Sequence, residues 1–126
     1  MGELILSTLA VMGLALVSAV ALPASTTLRV IAVQTPDIKA YRHEVEILQG
    51  EFKKEGLPVT LRVWRATYAG PDTGTIIVTV EVPDLATLAK IEDAVLKPNS
   101  PLSATMKRIE AIRKITSDSL YEELSP

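Results

Sequence analysis

The chain contains no cysteine. That excludes disulfides, thiolate catalysis, cysteine metal sites and lipoprotein-type acylation. It does not exclude export, because a domain of this size folds without such staples. Aromatic residues are scarce, with one Trp, one Phe and three Tyr among 126 residues. One histidine, His43, is present. An excess of one charge sign is also missing: 13 Lys and Arg face 15 Asp and Glu, for a net charge of −2. A nucleic-acid binder would show a basic footprint, and none is seen. The chain has no charged tail and no low-complexity run, and its only internal likeness is a loose similarity between two halves.

What is there divides at about residue 24. Leu4 to Leu22 reads LILSTLAVMGLALVSAVAL, without a charged residue. Ala19-Val20-Ala21 supplies the small–x–small pattern of a signal-peptidase site, and Pro23 and Ser25 then break the helix. The segment before the run carries Glu3 and no Lys or Arg. The run is also close to the ~20 residues that span a bilayer. Residues 1–24 are therefore expected to be a signal peptide, giving an exported chain that begins near Leu22 or Ser25. The alternatives are a single N-terminal membrane helix, with the Arg29, Lys39, Arg42 side cytoplasmic, and an artefact of start-site choice. A membrane partner is expected only if the segment is uncleaved. Residues 25–126 hold all 13 cations and 14 of the acids, leaving −1, and are enough for one core.

Within that domain, Leu28 to Gln34 (LRVIAVQ) is short and β-branched, so a strand is expected. Thr35-Pro36-Asp37 opens a helix whose Ile38, Tyr41, Val45, Leu48 and Phe52 share one stripe, ending at Gly56. Val59 to Tyr68 and Thr75 to Val82 alternate around the turn cluster Ala69 to Gly74, which reads as a hairpin with a loop of about six residues. Asp84 caps a second helix with Leu85, Leu88, Ile91 and Val95 near one face. Lys97-Pro98-Asn99 breaks it. Ser100 and Pro101 start a third helix, striped by Leu102, Met106 and Ile109. Ile112 to Ser117 is a candidate last strand, with Asp118 or Ser119 capping a short segment after it. The order β-α-β-β-α-β, with a split second helix, predicts an α+β, ferredoxin-like domain with a four-stranded antiparallel sheet.

Alternation assigns Val59, Leu61, Val63, Ile76, Val78, Val80 and Val82 to the face under the helices. The other face is expected to carry Arg62, Trp64, Ala66 and Tyr68, with Ile77, Thr79 and Glu81 opposite and Ile31 and Val33 joining from the first strand. A six-residue loop pairs Trp64 with Thr79 and Arg62 with Glu81. No helix is left to cover this face.

The stretch TLRVWRATYAGPDTGTIIVTVEVPDLATLAKIEDAV and the closing IRKITSDSLYEEL resemble the dimeric α/β-barrel superfamily, in particular small antibiotic-biosynthesis monooxygenase-like and NIPSNAP-like proteins. The resemblance runs from Leu28 to the C-terminus and carries no catalytic signature. It implies a homodimer whose open sheet faces pack together. It also implies space for haem or a substrate between sheet and helices or between the sheets. Haem-handling members use a histidine or asparagine, and this chain offers His43 and Asn99. His43 lies about 200° around the helix from both Tyr41 and Val45, and so faces solvent. No haem role is carried over, and no cofactor is expected.

The remaining motifs are weak. Ser117-Asp118-Ser119 has no histidine placed to activate a nucleophile. Gly70-x-x-x-Gly74 joins two strands and precedes no helix, unlike a phosphate loop. Glu44, Glu46, Glu51 and Glu55 with Lys53 and Lys54 read as a solvated helix face, not a metal site. The candidate ligand-binding set is Trp64, Tyr68, Arg62 and Glu81, with dimer packing as the plainer role for Trp64. No catalytic residue is assigned. The expected function is a self-associating domain with a small apolar or aromatic ligand. The alternative is a cofactor-free monooxygenase or isomerase whose substrate supplies the reactive carbanion.

Overall fold

The computed structural model describes residues 26–124. The expected signal peptide or anchor at residues 1–24 lies outside them. Strands β1 (Thr27–Gln34), β2 (Thr60–Arg65), β3 (Ile76–Val82) and β4 (Lys114–Glu122) form one antiparallel sheet in the order β2-β3-β1-β4. Helices α1 (Ile38–Lys54), α2 (Leu85–Leu96) and α3 (Pro101–Ala111) accompany it. The fold is α+β. Among the described residues no helix is long and apolar enough to cross a membrane.

Local chemistry sets the helix limits. The Asp37 carboxylate accepts the Ala40 N–H at 3.0 Å and caps α1. At the other end Gly56 takes φ 69°, and the Leu57 N–H reaches the Phe52 carbonyl at 3.0 Å. That six-to-one closure needs a left-handed residue, which glycine adopts without strain. Asp84 accepts the Thr87 N–H at 2.7 Å, and Ser100 accepts the Ser103 N–H at 3.1 Å. Both expected caps are in place. Asn99, at φ 61°, turns the chain between α2 and α3.

The stripe Tyr41, Val45, Leu48 and Phe52 of α1 is buried against Ile31, Val33, Val78 and Val82 of the sheet. Leu88 and Ile91 of α2 and Leu102 and Ile109 of α3 complete the core. Leu85, expected on the buried face, is exposed. Gln49 ties α1 to the edge strand: its amide donates to the Val59 carbonyl at 2.9 Å and accepts the Leu61 N–H at 2.6 Å. Backbone groups at a sheet edge otherwise invite foreign strands.

Three expectations are corrected. Ile31 pairs with Val78 and Val33 with Ile76, so both lie in the core rather than on the bare face. The hairpin strands stop at Arg65 and Ile76, with a short 3₁₀ turn at Gly70–Asp72 between them. Trp64 therefore opposes Ile77, and Arg62 opposes Thr79. The last strand begins at Lys114 and runs through Ser117 to Glu122, so Asp118 sits in mid-strand and caps nothing.

Candidate functional site

The face of the sheet away from the helices is built from the other parity of each strand. Leu28, Val30 and Ala32 of β1 face it, opposite Glu81, Thr79 and Ile77 of β3. Thr60, Arg62 and Trp64 of β2 lie beyond β3; Ser117, Ser119 and Tyr121 of β4 lie beyond β1. Among the described residues no helix covers this face. It is mixed: Leu28, Val30 and Ile77 lie among Thr79 and Glu81 on the central strands, with Trp64 and Tyr121 on the outer ones.

Trp64 is the centre of the β2 side. Its side chain is half exposed, yet the indole Nε1–H donates to the Thr79 hydroxyl at 2.9 Å. Thr79 stands diagonally across from Trp64 on β3. The indole is thus anchored across two strands, its polar end satisfied and its ring presented outward.

The sequence-predicted set is only partly brought together. Arg62 and Glu81 face the same side as Trp64 but are diagonal neighbours, and no salt bridge joins them. Glu81 opposes Thr60 instead. Tyr68 lies beyond the end of β2, fully exposed, and takes no part in the face. Leu28, Val30, Ala32 and Tyr121 were not expected there. In β1 both parities are apolar, so only the pairing of Ile31 with Val78 decides which set faces out.

A second feature lies on the opposite side of the sheet. A cavity of about 80 Å³ sits between sheet and helices, lined by Ile31, Val78 and Val80 below and Tyr41, Val45, Ile91 and Met106 above. Its charged lining residues are Arg29, Glu92 and Arg113. Arg29 donates to both Asp118 oxygens, from Nε at 3.0 Å and Nη2 at 2.6 Å, while its Nη1 lies 3.8 Å from Glu92. The forked hydrogen bond holds the Asp118 carboxyl below its usual range and raises Arg29 further. Arg113 Nη1 donates to the Tyr41 hydroxyl at 3.4 Å. Trp64, Arg62 and Tyr68 do not line this cavity.

The solvated helix face of α1 is less solvated than its sequence suggests. Glu51 accepts the Thr105 hydroxyl at 2.6 Å, and Glu44 receives Arg108 Nε at 3.0 Å. Both link α1 to α3. His43 is exposed, and no cluster of three metal-ligating side chains occurs among the described residues. No protein-family model matches the chain, and no curated protein matches it.

Proposed function

We propose that this chain is a non-catalytic, self-associating domain of the ferredoxin-like kind, forming a homodimer through the bare face of its sheet in the manner of dimeric α/β barrels. The observation that carries the reading is Trp64. A half-exposed indole whose N–H is already satisfied by Thr79 offers a partner a rigid apolar surface, with no polar group left to desolvate. Leu28, Val30 and Ile77, each partly exposed, extend that surface across the central strands. Monomers seldom expose contiguous apolar patches beyond a few hundred Å². A two-fold arrangement lets one patch complement its own copy. Arg62 and Glu81 then stand at the polar rim, where charges tune recognition more than affinity.

The sheet order β2-β3-β1-β4, with β1 central, supports the ferredoxin-like reading. The uncharged run Leu4 to Leu22 and Ala19-Val20-Ala21 support export of the domain, with the anchored form as the alternative location. The test is the mass of the chain freed of residues 1–24. Light scattering should give two chains per particle at micromolar concentration and nearly one for Trp64→Glu. A wild-type monomer with Trp64 emission as red as in water would refute the proposal.

A further inference from the structure

The cavity between the layers lies on the far side of the sheet from the bare face, so self-association leaves it unexplained. Its lining is apolar except at one end. An apolar cavity large enough for several atoms stays dry and accepts small apolar groups; one of about 150 Å³ takes benzene. The 80 Å³ here has room for a chain of about three or four carbons by the same scale. Met106, half-buried at the wall, is the kind of side chain that yields to a slightly larger guest.

The polar end decides what such a guest carries. Arg29 is spent on Asp118 and Glu92. Arg113 is different. Its one hydrogen-bond partner among the described residues is the Tyr41 hydroxyl, which is neutral and at 3.4 Å; Asp118, already forked by Arg29, acts on it only through space. A guanidinium only donates, so the Tyr41 oxygen accepts that bond. The tyrosine hydrogen then has no acceptor among the described residues, although Tyr41 is fully buried. Two donors, one charged and one neutral, therefore converge at the end of an apolar cavity. A planar fork beside a hydroxyl is complementary to a carboxylate, whose two oxygens take a charged and a neutral donor together.

We propose that this cavity binds a short-chain aliphatic monocarboxylate, its alkyl end between sheet and helices and its carboxylate held by Arg113 and the Tyr41 hydroxyl. Glu92 and Asp118, both beside Arg29, weaken the site by like charge and limit it to a single carboxylate. The site stands whether or not the domain dimerises.

The full chain is titrated with straight-chain carboxylates from acetate to octanoate, with butyramide and butylamine as uncharged and cationic counterparts. Binding is followed by the NMR shifts of the Met106 methyl and the Tyr41 ring. Affinity should rise from acetate to a maximum at four or five carbons and fall beyond it, with butyramide and butylamine at least tenfold weaker than butyrate. Arg113→Leu should weaken butyrate at least tenfold at an unchanged melting temperature. Tyr41→Phe should weaken it severalfold, and Glu92→Gln should tighten it. Val95→Phe, which fills the cavity from α2, should abolish the Met106 shift in a folded protein. Equal affinity for butyramide and butyrate, an unaffected Arg113→Leu, or a Met106 shift that survives Val95→Phe would each overturn the proposal.

Discussion

The two faces of this sheet are made by the same four strands and live under different rules. On the helix side Ile31, Val33, Val78 and Val82 are buried by α1, α2 and α3, and nearly every apolar group has a partner in its own chain. On the other side Trp64, Val30 and Ile77 stand beside threonine, serine and charged groups, and no helix among the described residues covers them. Strand alternation alone creates this contrast, since neighbouring residues point to opposite faces. One residue's difference in position thus separates a side chain packed under the helices from one left facing outward.

The sharpest way to break the contrast is to place the same charge on each side. Val78→Asp buries a carboxylate among Ile31, Phe52 and Val33, where Val78 is only 4% exposed. It should cost several kcal/mol, against a total of roughly 5–15 for a domain of this kind, and leave little soluble protein. Thr79→Asp, one residue along, keeps an acceptor for the Trp64 N–H and should leave the circular dichroism spectrum and the fold intact. Its effect should appear as a lower particle mass. An unfolded Thr79→Asp, or a well-folded Val78→Asp, would show that the faces are not divided in this way.

The contrast fades at β4, which is exposed along its whole length on both sides. There Asp118 holds Arg29 across 89 positions of sequence. Its carboxyl sits below the usual range, first because of the Arg29 hydrogen bond. A depressed folded value means that the pair stabilises the fold above the ordinary aspartate value of about 3.9 and that this is lost as the pH falls through the lowered one. Asp118→Asn should therefore reduce stability at neutral pH, by about 1 kcal/mol or less for so exposed a pair. The difference from wild type should shrink in acid melts as the pH falls below the ordinary aspartate value. A gap that persisted there would mean that Asp118 acts through packing rather than charge.

The smallest expected effect tests the surface outside both faces. His43 is exposed on α1. His43→Ala should change stability by less than about 0.5 kcal/mol and leave particle mass unaltered.

Much of the architecture was legible because its signals are local. The stripe from Tyr41 to Phe52, the caps Asp84 and Ser100 and the apolar alternation of Val59, Leu61 and Val63 each follow from residues a few positions apart. What was not legible depended on pairing. LRVIAVQ is apolar on both parities, so Ile31 and Val33 could be placed only once β3 fixed their register. The hairpin loop was read too short, since the chain leaves β2 at Arg65 and folds Gly70–Asp72 into a turn of its own. That shift separated Arg62 from Glu81 and removed Tyr68 from the site. Asp118 lacked any local sign of its role, because its partner lies at the other end of the domain. The contact between Arg113 and Tyr41 spans 72 positions and was equally silent.

The place of β1 has a consequence for how the protein is made. It lies between β3 and β4, and its ladder with β4 joins Thr27 to Glu122. During synthesis β1 is the first of the described strands to emerge and its second neighbour, β4, the last of them. At about 5–20 residues per second, the roughly 80 residues between the two strands keep one side of β1 unsatisfied for about 4–16 s. Throughout that interval one edge of a central, largely apolar strand is an open template for strands of other chains. Nascent chains of this protein should thus be the species that most needs shielding, and loss of β4 should harm its yield in cells more than its own exposed contacts suggest.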